Sequence, residues 1–143
     1  MAEALRRYEF DVVLMALNAA ESANPVAARR MEPIPAFEHS ALPEAVDKRM
    51  GIVAMKVMGT KRLVGTDPGQ AAAADLLRFG LSLPVASVVI GVDQLRFLEE
   101  NARAARAFTP MNEKEKHQLR QQLAPSRSAW QRFLHTHEDS TPA

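Results

Sequence analysis

Three short, dominantly apolar runs constrain the fold of this chain more than any other feature. They are residues 10–17, 52–58 and 86–90, and a stretch with helical spacing follows each. A run with no polar alternation reads as a strand covered on both faces, and such strands belong to parallel sheets joined by helical crossovers. The order βαβαβα, with further helices after it, predicts an α/β protein with right-handed connections. Three such strands alone leave one face or two edges in need of partners.

The third run carries the sharpest local signal, SVVIGVDQLRFLEEN at residues 87–101. A strand over Ser87 to Ile90 stops at Gly91, where the backbone is free to turn sharply or to approach a ligand. Asp93 is a good N-cap for a helix from about Gln94. Leu95, Leu98 and Ala102 then share one stripe, predicted to face inward, with Glu99 and Arg103 outward. A helix N-terminus just past a parallel strand suits an anionic group such as a phosphate. The same pattern is also the ordinary strand-to-helix turn of any α/β protein.

Elsewhere, residues 2–8 read as the end of a helix. Residues 18–35 hold prolines at 25, 33 and 35 and read as a long loop. Residues 37–49 are helical, with Leu42, Ala45 and Val46 inward. Residues 59–66 form a polar loop carrying Lys61 and Arg62. Asp67-Pro68 predicts a helix start, with the helix propagating over 71–83 until Pro84. Asn112 with Glu115 three residues on is a capping-box signature for a helix to about 123. A break at 124–126 precedes a short helix over 128–135 and a frayed tail from Glu138.

A length of 143 residues suits one domain. A formal net charge of +1, with acidic and basic residues interleaved, offers no electrostatic case for nucleic acid or an anionic membrane. The absence of cysteine excludes disulfides, thiolate metal sites and a cysteine nucleophile, and is compatible with a reducing, cytoplasmic setting. The N-terminus lacks the apolar core of a signal peptide, and no run approaches the roughly 20 apolar residues of a membrane helix.

Three ordered segments, FDVVLMALN, ALPEAVDKRMGIVAMKVMG and LLRFGLSLPVASVVIGVDQLRFLEEN, together resemble the C-terminal half of an aldo/keto reductase. They match its sixth strand, the next helix with the seventh strand, and the seventh helix with the eighth strand and helix. PMNEKEKHQLRQQL is similar to the helix after the barrel. The resemblance implies a partial (β/α)8 TIM barrel: three parallel strands with flanking helices over residues 1–123, then a C-terminal extension and tail over 124–143. It implies NADP(H) or NAD(H) at the C-terminal ends of the strands and hydride transfer to a carbonyl compound. By resemblance, Met55 packs on the nicotinamide, Met58 and Gly59 form the pyrophosphate-contacting turn, Gly91, Asp93 and Phe97 belong to the adenosine end, and Glu100 with Asn101 reach the adenine. Beside this, methionines at such positions are more often core fillers than cofactor contacts, and Glu100 and Asn101 read as ordinary helix surface.

The chain departs from that family in places. Leu14 stands where the family often has a glutamine for the carboxamide, a hydrogen bond worth about 1 kcal/mol. Gly91, Val92 and Phe97 replace the groups that grip a 2′-phosphate. Asp93 adds negative charge, which Arg96 is placed to offset, so acceptance of NAD through Asp93 on the ribose hydroxyls is an expectation. The family's catalytic Asp, Tyr, Lys and His lie on its first four strands, which these segments do not match. Tyr8, the single tyrosine, falls at the wrong end of the sheet, and Lys56 lies on the seventh strand. His135 and His137 make a pair without a third ligand nearby.

Two functional readings follow. One is the cofactor-holding portion of an oxidoreductase, inactive alone, as a truncated product or as a fragment assembling with a complementary N-terminal barrel portion or with itself. The other is a non-catalytic α/β oligomerisation or binding domain with a vestigial cofactor site. A doubly wound nucleotide domain is a third, weaker reading and requires helices on both faces of the sheet.

Overall fold

Strands β1 (Val12–Ala16) and β2 (Gly51–Met55) run parallel, and β3 (Ser87–Val88) joins β2 on its far side, giving the order β1-β2-β3. The computed structural model describes residues 1–20 and 36–136. Most of the loop expected over 18–35, and the tail from Glu138, lie outside the described residues. Helix α1 (Ala2–Arg7) precedes β1, α2 (Phe37–Asp47) precedes β2, α3 (Ala73–Leu81) precedes β3, and α4 (Leu95–Arg106) follows it. Helices α5 (Glu113–Leu123) and α6 (Arg127–Thr136) close the chain, joined by a 3-10 turn at Ala124–Ser126. The expected α/β order is present.

The register aligns Val13 with Ile52, and Met15 with Ala54, which in turn pairs Val88. This is the face beneath the helices, and Met15 and Ala54 are fully buried there. Helix α2 adds Ala41, Leu42 and Ala45, and α3 adds Leu76 and Phe79. Burying a Met, Leu or Phe side chain completely contributes about 1.5–3 kcal/mol, so this layer holds the fold together. Val46, expected inward, is exposed.

The other face is open. Leu14 aligns with Val53 and Ser87 there, and Val12, Leu14 and Val89 are 60%, 48% and 53% exposed. Strands expected to be covered on both faces are thus covered on one among the described residues. With the described helices on a single face, the layout is not that of a doubly wound sheet.

The third strand is shorter than expected. It pairs over two residues, Val89 N–H still reaches the Ala54 carbonyl at 2.8 Å, and then the chain leaves the ladder. No strand lies beyond β3 among the described residues, which leaves Ser87 and Val89 exposed at an edge. The same gap explains α4. It packs on α3, with Phe97, Asn101, Ala104 and Phe108 half-buried at helical spacing. Leu95 and Leu98, expected to face inward, are 70% and 52% exposed because no strand among the described residues lies beneath them.

Two expected helix starts are corrected. Asp67-Pro68 does not cap α3, whose N-cap is Ala72. Residues 67–70 form a turn instead: Pro68 takes the second position, Gly69 the third at φ 87°, and Gln70 N–H reaches the Asp67 carbonyl at 2.9 Å. The N-cap of α4 is Gln94, not Asp93, whose carboxylate is engaged elsewhere. The capping box does form: Asn112 Oδ1 accepts from Glu115 N–H at 2.9 Å, and Glu115 Oε2 accepts from Asn112 N–H at 2.8 Å.

The C-terminal segment packs on the body of the fold. Trp130 on α6 is buried, and Gln122 Nε2 donates to the Gln70 carbonyl at 2.8 Å. Arg120 on α5 pairs with Glu38 on α2 and stacks over the Phe79 ring, 5.0 Å from its centroid. No described helix is long and apolar enough to cross a membrane.

Candidate functional site

The site is built where β2 and β3 end. After Met55 the chain turns through Lys56 at φ 56°, and it then passes through three consecutive left-handed residues, Gly59, Thr60 and Lys61. Left-handed backbone at a residue with a side chain costs roughly 1–2 kcal/mol, and such strain gathers at functional sites. It is held here by local bonds. Gly59 N–H donates to the Lys56 carbonyl at 2.9 Å, Arg62 N–H to the Gly59 carbonyl at 3.1 Å, and Thr60 Oγ1 to the same carbonyl at 2.7 Å. Only glycine fits position 59: a Cβ there would lie 2.5 Å from Leu63 Cγ.

Across from this loop runs the extended segment from Val89 to Asp93. Between them lies a cleft of about 480 Å³ at the C-terminal ends of the strands. Met55, Val57 and Met58 line one side, Val89, Ile90 and Val92 the other, and Lys56, Lys61 and Asp93 bring charge. The volume falls in the range of small-molecule sites, as does an apolar lining with a few convergent polar groups.

Lys61 Nζ donates to Asp93 Oδ2, tying the two walls together. That hydrogen bond holds the Asp93 carboxyl below its ordinary pKa against a smaller desolvation effect, and the charges of Lys61 and Arg96 add to the lowering. Both partners are more than half exposed, so the pair is screened by salt.

Of the residues predicted from sequence, Met55, Met58, Gly91 and Asp93 come together around the cleft. Gly59 is buried in the turn beside it. Phe97, Glu100 and Asn101 lie on α4 and do not line it; Phe97 carries the Arg96 guanidinium 4.6 Å above its ring. Tyr8 caps the C-terminus of α1, at the opposite end of the sheet, as expected.

Thr60 and Asn18 were missed. Asn18 is buried at the end of β1, donating from Nδ2 to the Lys56 carbonyl at 3.4 Å and accepting Ala20 N–H at 3.1 Å. It steadies the turn that opens the cleft. A lone amide closing an apolar run was the available signal. Among the described residues, no three His, Asp or Glu side chains are grouped to hold a metal.

The class these features define is an α/β protein with an open, three-stranded parallel sheet, helices on one face and a cleft at the carboxyl ends of the strands. Comparison with protein-family models, with curated proteins and with solved structures finds no match for the chain.

Proposed function

We propose that this chain is the cofactor-holding, C-terminal portion of an aldo/keto reductase-like oxidoreductase. In this reading it binds NADP(H) or NAD(H) and serves the reduction of carbonyl compounds, in a cytoplasmic setting. One observation carries the reading. A parallel sheet has its described helices on one face, as an arc of a (β/α)8 barrel has, and Met55, Met58, Gly91 and Asp93 converge where its strands end.

Toward such a cofactor, Met55 offers a flat apolar contact for a ring. The left-handed turn at 58–61 offers a close backbone approach, and Lys56 and Lys61 offer positive charge to phosphates. The bound cofactor supplies the hydride. Carbonyl reduction also needs a proton donor at the substrate oxygen, and among the described residues no tyrosine or histidine lines the cleft. The acid therefore comes from another part of a completed barrel, one that packs on the open face at Val12, Leu14 and Val89. The chain alone binds but does not turn over substrate.

A second reading, a non-catalytic binding or oligomerisation module with a vestigial site, draws on two observations. Phe97, Glu100 and Asn101 lie off the cleft, and the Lys61–Asp93 pair spans it. Calorimetric titration of the chain with NADPH and with NADH separates the readings. Saturable binding tighter than about 1 mM, weakened by Lys61→Met, supports the first; its absence with both nucleotides refutes it.

A further inference from the structure

We propose that the Lys61–Asp93 pair is a latch on the cleft: Asp93 holds the lysine that an incoming phosphate needs, and a phosphate-bearing ligand takes Lys61 and releases the wall that carries Asp93. The inference rests on reading the cleft as a site for such a ligand, and it adds how access to that site is controlled.

The two walls are held unequally. The turn that carries Lys61 is fixed from within, by Gly59 N–H on the Lys56 carbonyl at 2.9 Å, by Arg62 N–H on the Gly59 carbonyl at 3.1 Å, and by the packing of Gly59 against Leu63. The opposite wall leaves the sheet after Val89 N–H reaches the Ala54 carbonyl at 2.8 Å. Among the described residues, 90–93 make no backbone-to-backbone hydrogen bond. Ile90 still packs on the core, but Gly91, Val92 and Asp93 are exposed, and a Cβ at Gly91 would meet nothing within 4 Å. Beyond Ile90, the hydrogen bond from Lys61 to Asp93 is what ties this wall to the other. A segment with few buried contacts, fastened by one exposed ion pair, belongs to the readily opened part of a fold.

Charge decides what opens it. The lysines lining the cleft are Lys56 and Lys61, and Asp93 is the acid. Two cations act on the Asp93 carboxylate: Lys61 from the turn, and Arg96 from the first turn of α4, whose guanidinium lies over the Phe97 ring. With Asp93 in place, one of the two lining lysines is already neutralised. A phosphate group carries about −1.5 to −2 charge and three acceptor oxygens at pH 7, so it competes for Lys61 better than one carboxylate does. The ligand then binds with an affinity reduced by the fraction of molecules that are latched. By reciprocity, its binding weakens the Lys61–Asp93 contact by the same factor.

Calorimetric titrations with NADPH and with inorganic pyrophosphate test this at low salt, on the wild-type chain, Asp93→Asn, Lys61→Met and the double variant. Asp93→Asn is expected to bind about threefold to fivefold tighter than wild type, the range an exposed ion pair allows. The gain should vanish when Lys61 is Met. Loss of a negative charge acting at a distance would instead help equally in both backgrounds. With pyrophosphate bound, the Asp93 carboxyl should titrate higher by NMR than in the free chain. Both side chains are exposed, so folding is preserved. Wild type binding as tightly as Asp93→Asn, or an equal gain with and without Lys61, would overturn the latch and leave the cofactor reading standing. Pyrophosphate binding that Asp93→Asn tightens through Lys61, with no binding of NADPH, would support the latch and refute that reading. No saturable binding of either probe by any variant would overturn both.

Discussion

Gly59 and Gly91 look alike in sequence, each closing an apolar run, but the structure assigns them opposite sensitivities. At Gly59 the backbone sits at φ 55°, and a Cβ would lie 2.5 Å from Leu63 Cγ and 2.8 Å from its Cδ1. Leu63 is fully buried and cannot retreat into solvent. For Gly59→Ala, the left-handed conformation costs about 1–2 kcal/mol, and forcing a carbon into a packed core costs about 1–3 kcal/mol. The less flexible unfolded chain returns about 0.4–1 kcal/mol. The expected net loss is about 2–4 kcal/mol. At Gly91 a Cβ meets nothing within 4 Å, so Gly91→Ala should change stability by less than about 0.5 kcal/mol. Urea unfolding, followed through the fluorescence of the buried Trp130, measures both. A Gly59→Ala loss below about 1 kcal/mol, or equal losses at the two sites, would refute the argument that position 59 is fixed by sterics and backbone sign together. If Gly91→Ala keeps its stability but weakens nucleotide binding, the missing side chain matters to the ligand alone.

Two further outcomes follow from the sheet and the charged pair. Met15→Ala should cost about 2–5 kcal/mol, while Leu14→Thr, one residue away on the open face, should change stability by under about 0.5 kcal/mol in the same unfolding assay. The Asp93 carboxyl, followed by NMR through a pH titration, should titrate below the ordinary aspartate range, and Lys61→Met or high salt should bring it back up. Because the folded pKa is the lower one, the Lys61–Asp93 interaction is fully present above the unfolded value and is lost as pH falls through the folded one. An Asp93 midpoint unmoved by Lys61→Met would show that the contact is not made in solution.

The order of elements was legible because strand, turn and helix signals repeat in phase along the chain. The capping box at Asn112 and Glu115 was readable for the same reason: both partners lie within one turn of a helix. What misled was the meaning of an unbroken apolar run. VVLMA reads as a strand covered twice, yet Val12 and Leu14 face solvent. Periodicity reports what a strand is fit to pack against, and that second layer is not among the described residues. The misplaced stripe of α4 has the same cause.

The cleft divides along the same line. Met55, Met58, Gly91 and Asp93 were singled out by the resemblance, and they line one cleft because each sits within a few residues of a strand end, where parallel topology brings chain segments together. Lys61 was visible only as a loop cation, and its bond to Asp93 spans 32 positions that no local rule connects. That bond changes what Asp93 is for. A carboxylate held by an ammonium has less capacity left to accept ribose hydroxyls, and the pair leaves Lys56 as the other cation lining the cleft. The expected acceptance of NAD through Asp93 therefore requires the Lys61 contact to open first.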